Sequence, residues 1–338
     1  MKKAIVCVVL TLVFCVVSQR QVRQSLLEAL SAAFPQRETE SEEAVETPSF
    51  TEQLGSREAS DMLDVTLYFR FGQTSVLGAQ QIQLDIRREE TIAMRIVQQL
   101  VEGPGVSRER LSGVFPQGTQ VLSVSGDGTT AFVTLSMAFL GKPDGAPSDW
   151  EDLTEWQEEA ALRRRLAVQS VVLALTEEGR YQRVQLYVAQ SDDDIPQRIP
   201  MALLDTEVTD ASIVLAAGSR DEQALLTPQR AMRMIMDAWQ EHDWETLYTL
   251  MAPAQEEPLP TFSVFEAQMK DRDVTLLDYE VSVGTVSIDG SSATLVLDAG
   301  IRSDGGDVRL VREVVPLTRW ADNWAMTTET LRSLMIRD

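Results

Sequence analysis

The residues that could do chemistry are few, and their spacing limits what they could do. One histidine, His242, stands in 338 residues. A lone imidazole excludes most histidine metal sites and any mechanism that uses two imidazoles. No nucleophile motif surrounds it in "EHDWETLY", so a Ser-His-Asp triad has nothing to build on. Its place between two helical stretches points to a surface or capping role. The run Asp192, Asp193 and Asp194 in "SDDDIP" offers carboxylates to calcium, but EF-hand spacing and the closing glutamate are missing, and a solvated turn explains it. Arg163, Arg164 and Arg165 in "LRRRL" could meet acidic polymers or a partner. An exposed helix face near "EWQEE" accounts for them equally well through spaced ion pairs. The aromatics Trp239, Tyr248, Trp320 and Trp324 could line a pocket. Large aromatics dominate core burial, so a core role is the expectation for them. No catalytic residue, cofactor or metal site is expected.

Composition narrows the partners. Fifty-two acids face thirty bases, a net charge of −22. Such a surface repels nucleic acid and anionic headgroups. Both cysteines, Cys7 and Cys15, lie at the extreme N-terminus, so no disulfide framework or cysteine zinc site can form in the body of the chain.

The N-terminus sets the expected address. "MKK" precedes the uncharged run "AIVCVVLTLVFCVVS" at 4–18. A basic flank with a short apolar core reads as an export signal. At roughly 1.5 Å per residue the run falls short of a ~30 Å hydrocarbon core. Three outcomes are open: cleavage after Ser18, retention as an anchor, or lipidation of Cys15 in the lipobox-like "LVFC". Phe14 is bulky for the residue before a lipidated cysteine and places that outcome last. The expected organisation is a signal peptide or anchor over 1–24, then a short juxtamembrane helix and acidic linker over 25–61. The linker stretch "PQRETESEEAVETPS" cannot bury enough apolar surface to offset its ordering entropy.

From Asp64 the pattern becomes that of a folded domain. "DVTLYFRFG" and "QIQLDI" alternate as strands. Ile92, Ile96, Val97, Leu100 and Val101 then share a helical face that stops at "EGPG", where Gly103 and Pro104 close the helix. "GTQVLSVSGDGTTAFVTLS" reads as a hairpin turning at an Asp-Gly pair. A helix follows over 152–176, then the strand "RVQLYVAQ". The order predicts an α+β domain with helices on one face of its sheet, over 62–200.

These pieces together resemble the GerM domain of sporulation and germination proteins. "VTLYF", "QLVEGP", "FPQGTQVLSVSGDGTTAFVTLSMAF" and "AVQSVVLALTEEGRYQRVQLYV" carry the likeness in order and spacing. Thr134-Leu135-Ser136 stands where family members commonly carry Asp-Leu-Ser. The resemblance implies a noncatalytic bacterial envelope protein linked to cell-wall or spore-envelope assembly, with protein partners there and self-association through the domain. It implies an extracytoplasmic place, tethered or secreted.

Beyond a connecting segment at 201–225, Thr227 is a good N-cap and Pro228 suits the first helical turn. Helical spacing runs through Met232, Ile235, Met236 and Trp239, resumes at Trp244, and recurs over 262–270. Strand patterns then fill 274–329. Helices followed by a long meander resemble the NTF2-like cone, carried by "HDWETLY" and "RWADNWAM", over 226–338. Many functions use that fold. Two readings follow: an envelope module that binds proteins, or a small-ligand sensor whose pocket is the cone. A filled cone beside exposed apolar surface favours the first; an open cavity with converging polar groups favours the second.

Mass spectrometry of the N-terminus of the native protein separates the three anchoring outcomes. A leader that delivers the chain gives a mature start near Gln19, an acylated Cys15, or an intact hydrophobic segment in the membrane fraction. An unmodified intact N-terminus on cytosolic protein contradicts the export reading.

Overall fold

The computed structural model describes residues 61–87, 90–105, 110–255, 257–272, 274–303 and 306–335. The leader, the juxtamembrane helix, nearly all of the linker and Cys15 lie outside the described residues. Among those described, no helix is long and apolar enough to cross a membrane. All of them belong to one contact unit, Glu58–Asp338.

Strands β1 (Asp61–Phe71) and β2 (Leu77–Ile86) form an antiparallel ribbon, and β3 (Leu111–Ser112) pairs with the far end of β1. Helix α1 (Ile92–Glu102) begins at Thr91, whose hydroxyl accepts from the Met94 N–H at 3.1 Å. It ends at Gly103 with φ +91°, whose N–H returns to the Gln99 carbonyl. Glycine takes that backbone without a Cβ penalty, and Pro104 stops propagation.

Strands β4 (Val121–Asp127) and β5 (Thr130–Ser136) form the expected hairpin, with Gly128 at φ +58° in its turn. Helix α2 (Thr154–Thr176) then crosses to β6 (Arg183–Ala189), which pairs parallel with β5, and β7 (Gln197–Arg198) finishes the sheet. The α+β expectation holds, with the strands divided between two sheets, β2-β1-β3 and β4-β5-β6-β7. Helix α2 touches both, through β1 and β6. That explains why its second half, from Leu166 to Thr176, is buried on nearly every side. Ser170 sits in that interior and donates to the Tyr68 carbonyl at 2.5 Å.

The segment 201–225 is stitched to the second sheet rather than left loose. Val184 and Gly218 exchange backbone hydrogen bonds at 2.8 and 2.9 Å, and Leu215 donates to the Ile199 carbonyl. Three helices follow: α3 (Pro228–Glu241), α4 (Trp244–Thr249) and α5 (Phe262–Lys270). Thr227 caps α3 as expected, accepting from the Arg230 N–H at 3.3 Å. The third sheet has the order β8-β12-β11-β10-β9, built from β8 (Met251–Ala252), β9 (Thr275–Val286), β10 (Ser292–Ser303), β11 (Gly306–Trp320) and β12 (Asn323–Thr327). Its register shifts between Leu297 and Ala299 and twice more against β9. Such bulges bend strands and increase twist. At one of them Asp298 accepts the Arg312 N–H, with Arg312 at φ +51°. Helix α6 (Thr328–Met335) closes the described chain where the sequence pattern suggested only the end of a strand.

The two halves join along β2. The Leu226 N–H donates to the Leu77 carbonyl at 2.9 Å. Asn323, 5% exposed, accepts from the Ala79 N–H at 2.9 Å and donates to the Ala79 carbonyl at 3.0 Å. A Cβ on Gly78 would stand 2.6 Å from Asn323 Oδ1 and 2.8 Å from Leu111 Cδ2.

Asn323→Ala leaves both backbone groups of Ala79 unpaired and should lower stability by about 1–3 kcal/mol. Gly78→Ala attacks the same contact sterically, so the double variant should cost less than the sum of the single ones. Denaturant midpoints with unchanged slopes check this; additive losses would show that the two residues do not share one contact.

Candidate functional site

The C-terminal half places its expected aromatics in different settings. Trp239 on α3 is 1% exposed and belongs to the core inside the curved sheet. Its Nε1 has no hydrogen-bond partner among the described residues. Trp324 is 5% exposed, and the Arg319 guanidinium carbon lies 5.1 Å from its ring centroid. Tyr248 is half-buried. Its ring meets Phe262 and Phe265 at 5.5 and 5.4 Å, and its hydroxyl donates to the Pro260 carbonyl at 2.7 Å, pinning α4 to α5. Trp320 corrects the expectation of a core residue: it is 42% exposed. It ends β11 at a tight turn through Ala321 and Asp322, both at positive φ, and alternation from the buried Val315 and Leu317 puts it on the outer face of the strand. The four aromatics therefore do not converge on one cavity. A cavity of ≈ 100 Å³ lies between α5 and α6, floored by Phe265, Met269, Leu331 and Met335.

His242 caps the C-terminus of α3 in the left-handed conformation, φ +59°, and is exposed, with its ring edge-on to Trp244 at 5.2 Å. This is the capping role its position suggested. The "SDDDIP" stretch is an exposed turn in which Ser191 donates to Asp194. The three arginines separate. Arg165 is exposed, Arg163 pairs with Glu159 at 2.6 Å, and Arg164 is 6% exposed. An exposed face was the expectation for all three, and Arg164 departs from it. Its guanidinium turns inward to the carbonyls of Leu140 (2.7 Å) and Gly141 (3.1 Å), satisfying the end of a short helical turn. Glu159 also binds the buried Arg70. Burial pushes the Glu159 carboxyl up, but the hydrogen bonds from Arg70 and Arg163 outweigh it and hold it below its ordinary range.

A larger cavity, ≈ 420 Å³, opens where the β1–β2 ribbon meets the end of α2. Val65, Ile82, Ile96 and Ala174 supply its apolar lining. Asp64, Thr66, Gln81, Gln83, Glu177 and Arg180 supply the polar groups. Glu177 is already engaged. The buried Tyr68 hydroxyl donates to its Oε2 at 2.6 Å, and Arg220 donates to the same oxygen at 2.7 Å. Burial, then the bond to Glu177, push the Tyr68 phenol up to about 12. Arg180 is different: its Nη1 is shielded from solvent and has no hydrogen-bond partner among the described residues. None of these residues stood out in the sequence. A tyrosine, a glutamate and two arginines spread from 68 to 220 carry no spacing signal, and only the fold gathers them.

Residues 66–193 match the Germane family, described as sporulation and spore germination. Among solved structures, the chain is similar to the tandem GerMN domains of the sporulation protein GerM from Bacillus subtilis. The identity is 15%, over 44% of this chain and 47% of that one, with a TM-score of 0.28. It thus spans about half the length of that structure. It is similar to the first GerMN domain of the same protein, 21% identical over 38% of this chain and 84% of that one, TM-score 0.26. It is also similar to a putative lipoprotein from Clostridium perfringens, 15% identical over 48% of this chain and 89% of that one, TM-score 0.25. No curated protein sequence matches it. The stretch 66–193 is therefore a GerM-related domain.

Tyr68 and Glu177 fall inside the matched stretch and Arg220 outside it, so their cluster ties this domain to the segment that follows. The raised phenol pKa has a defined consequence. The folded state holds the proton up to about 12, the unfolded state to the ordinary 10.0. That stabilisation is complete below pH 10 and is lost as pH rises through about 12. Tyr68→Phe should cost about 1 kcal/mol at neutral pH by removing one hydrogen bond. The difference from wild type should shrink across that alkaline window, as read by denaturant midpoints at stepped pH. A pH-independent difference would mean that the phenol is not held protonated by folding.

Proposed function

We propose that the chain is a noncatalytic envelope protein, exported and held at the membrane by its N-terminal segment. In this reading it binds protein partners in sporulation, germination or cell-wall assembly. The observation that carries it is the match of residues 66–193 to a family described by sporulation and spore germination rather than by a reaction. The apolar run behind two lysines supports an extracytoplasmic place.

The C-terminal half we read as an NTF2-like cone. Its interior holds Leu295, Leu297, Ala299 and Met236, each 0–1% exposed, against Trp239. The cavity beside α6, ≈ 100 Å³, is well below the ~300 Å³ at which small-molecule pockets begin. Outside, the β9–β11 meander leaves Val283 and Val311 80% and 66% exposed, with Ile288 fully exposed. A filled interior beside apolar surface suits protein contact better than ligand storage. Self-association through the GerM-related domain belongs to the same proposal.

Fractionation of cells producing the full chain tests the location, and in-cell crosslinking followed by mass spectrometry tests the partners. The expected result is recovery in the envelope fraction with crosslinks to envelope or wall-assembly proteins, changing between vegetative and sporulating cells. Recovery in the cytosol with cytosolic partners only would overturn the proposal, as would turnover of a wall substrate by the purified protein.

A further inference from the structure

The cavity at the end of α2 carries a separate inference, independent of which envelope partners the chain has. Its volume, ≈ 420 Å³, lies within the ~300–1,000 Å³ typical of small-molecule sites. Its apolar lining comes from three different elements, with Val65 and Ile82 on the ribbon, Ile96 on α1 and Ala174 on α2. Its charges are unequal in what they can still do. Glu177 is neutralised by Arg220 and capped by the Tyr68 hydroxyl. Arg180 has no ion pair among the described residues, and its Nη1 is both hidden from solvent and unpaired. A ligand in the open cavity cannot reach that hidden atom; what it can meet is the rest of the guanidinium, which has no acceptor among the described residues.

We infer that this cavity binds a small aliphatic monocarboxylate, with the carboxylate paired to the Arg180 guanidinium and the alkyl tail against Val65, Ile82 and Ile96. The planar fork of arginine matches a carboxylate, and the pair gains strength where water is partly excluded. Asp64 on the wall disfavours a second negative charge, which selects against dianions such as phosphate. Gln81 and Gln83 leave amides available to a polar group along the tail. The cone of the second half plays no part in this site.

The test uses the full chain in detergent or its released mature form, titrated with N-acetyl-L-leucine and followed by amide chemical shifts. N-acetyl-L-leucinamide, which lacks the charge, and inorganic phosphate, which lacks the tail, are the controls. Saturable shifts at Ile82, Ile96 and Ala174 with the acid, and only weak ones with either control, are expected. Arg180→Gln should weaken binding of the acid by at least about tenfold, the effect of losing one charge-assisted hydrogen bond. Without ligand that variant should melt no lower than wild type, because it removes an unpaired donor. Absence of saturable shifts at these residues overturns the inference, and the wild-type titration decides this even if the variant fails to fold. Equal binding of phosphate or of the amide, or unchanged affinity in Arg180→Gln, overturns it as well.

Discussion

The two-point hydrogen bond between the Asn323 side chain and Ala79 is the contact on which the assembly of the two halves depends. A side-chain amide sets an N–H and a C=O in nearly the spacing of a peptide unit, and the second N–H of Asn323 donates to the Ala321 carbonyl. Asn323 therefore presents to β2 what a neighbouring strand would present, at 2.9 and 3.0 Å. The alternate backbone groups of β2 that face away from β1 are met in turn. Leu77 receives the Leu226 N–H, Ala79 receives Asn323, and the Gln81 N–H reaches Asp322 at 3.3 Å. An exposed strand edge invites pairing with other chains, and covering it is one of the ways proteins prevent that. Gly78 is the permissive residue, because any Cβ there would collide with the amide that does the covering. Arg110 reinforces the seam by donating to the Met251 carbonyl at 2.6 Å.

Charged side chains do similar work within the first half. Arg164 ends a helical turn, and Arg70 and Arg163 share Glu159. Arg220 reaches back from the connecting segment to Glu177 and Tyr68. Apart from the Arg163–Glu159 pair within α2, these arginines meet their partners at the boundary between elements, where backbone or carboxylate oxygens would otherwise be buried unpaired. On a chain of net charge −22 such a cation holds structure together before it is available to partners. Arg180, a cavity arginine with no partner among the described residues, stands apart from them.

Much of this fold was legible where the signal is local. The Thr227 cap with Pro228, the Gly103 stop, the Asp-Gly hairpin and the helix at 262–270 all rest on chemistry within a few residues of one another. What could not be read is the long-range pairing. The parallel register of β5 with β6, the two-residue β8 and the division into two sheets depend on contacts between residues far apart in sequence. Helix α6 was hidden because it starts at Thr328 without a break from β12, so the strand pattern ran on through its cap. Arg164 looked like its neighbours because a run of three arginines has no periodicity to say which one turns inward. Trp320 looked like core by size, although alternation from Val315 and Leu317 turns it to the outer face of its strand. The cavity residues Tyr68, Glu177, Arg180 and Arg220 are ordinary in sequence, and folding alone gathers them.

The seam also bears on how partners can be met. With the first half of β2 covered, the sheet edges that remain among the described residues are the rest of β2, β3, β4, β7, β8 and β9. Each is poor at accepting a further strand. Gln83 and Asp85 keep the open part of β2 polar and exposed. Strand β4 is broken by a register shift between Val121 and Ser123, and β3, β7 and β8 are each two residues long. Strand β9 is kinked at Gly284, where a Cβ would run into the Thr294 carbonyl. Short strands, bulges and edge charges are the devices that discourage edge-to-edge addition. Partner contact through strand addition is therefore the weaker form of the envelope reading. Contact through side-chain faces is the stronger one, because the exposed valines and Ile288 of the β9–β11 meander present apolar area without an open backbone ladder.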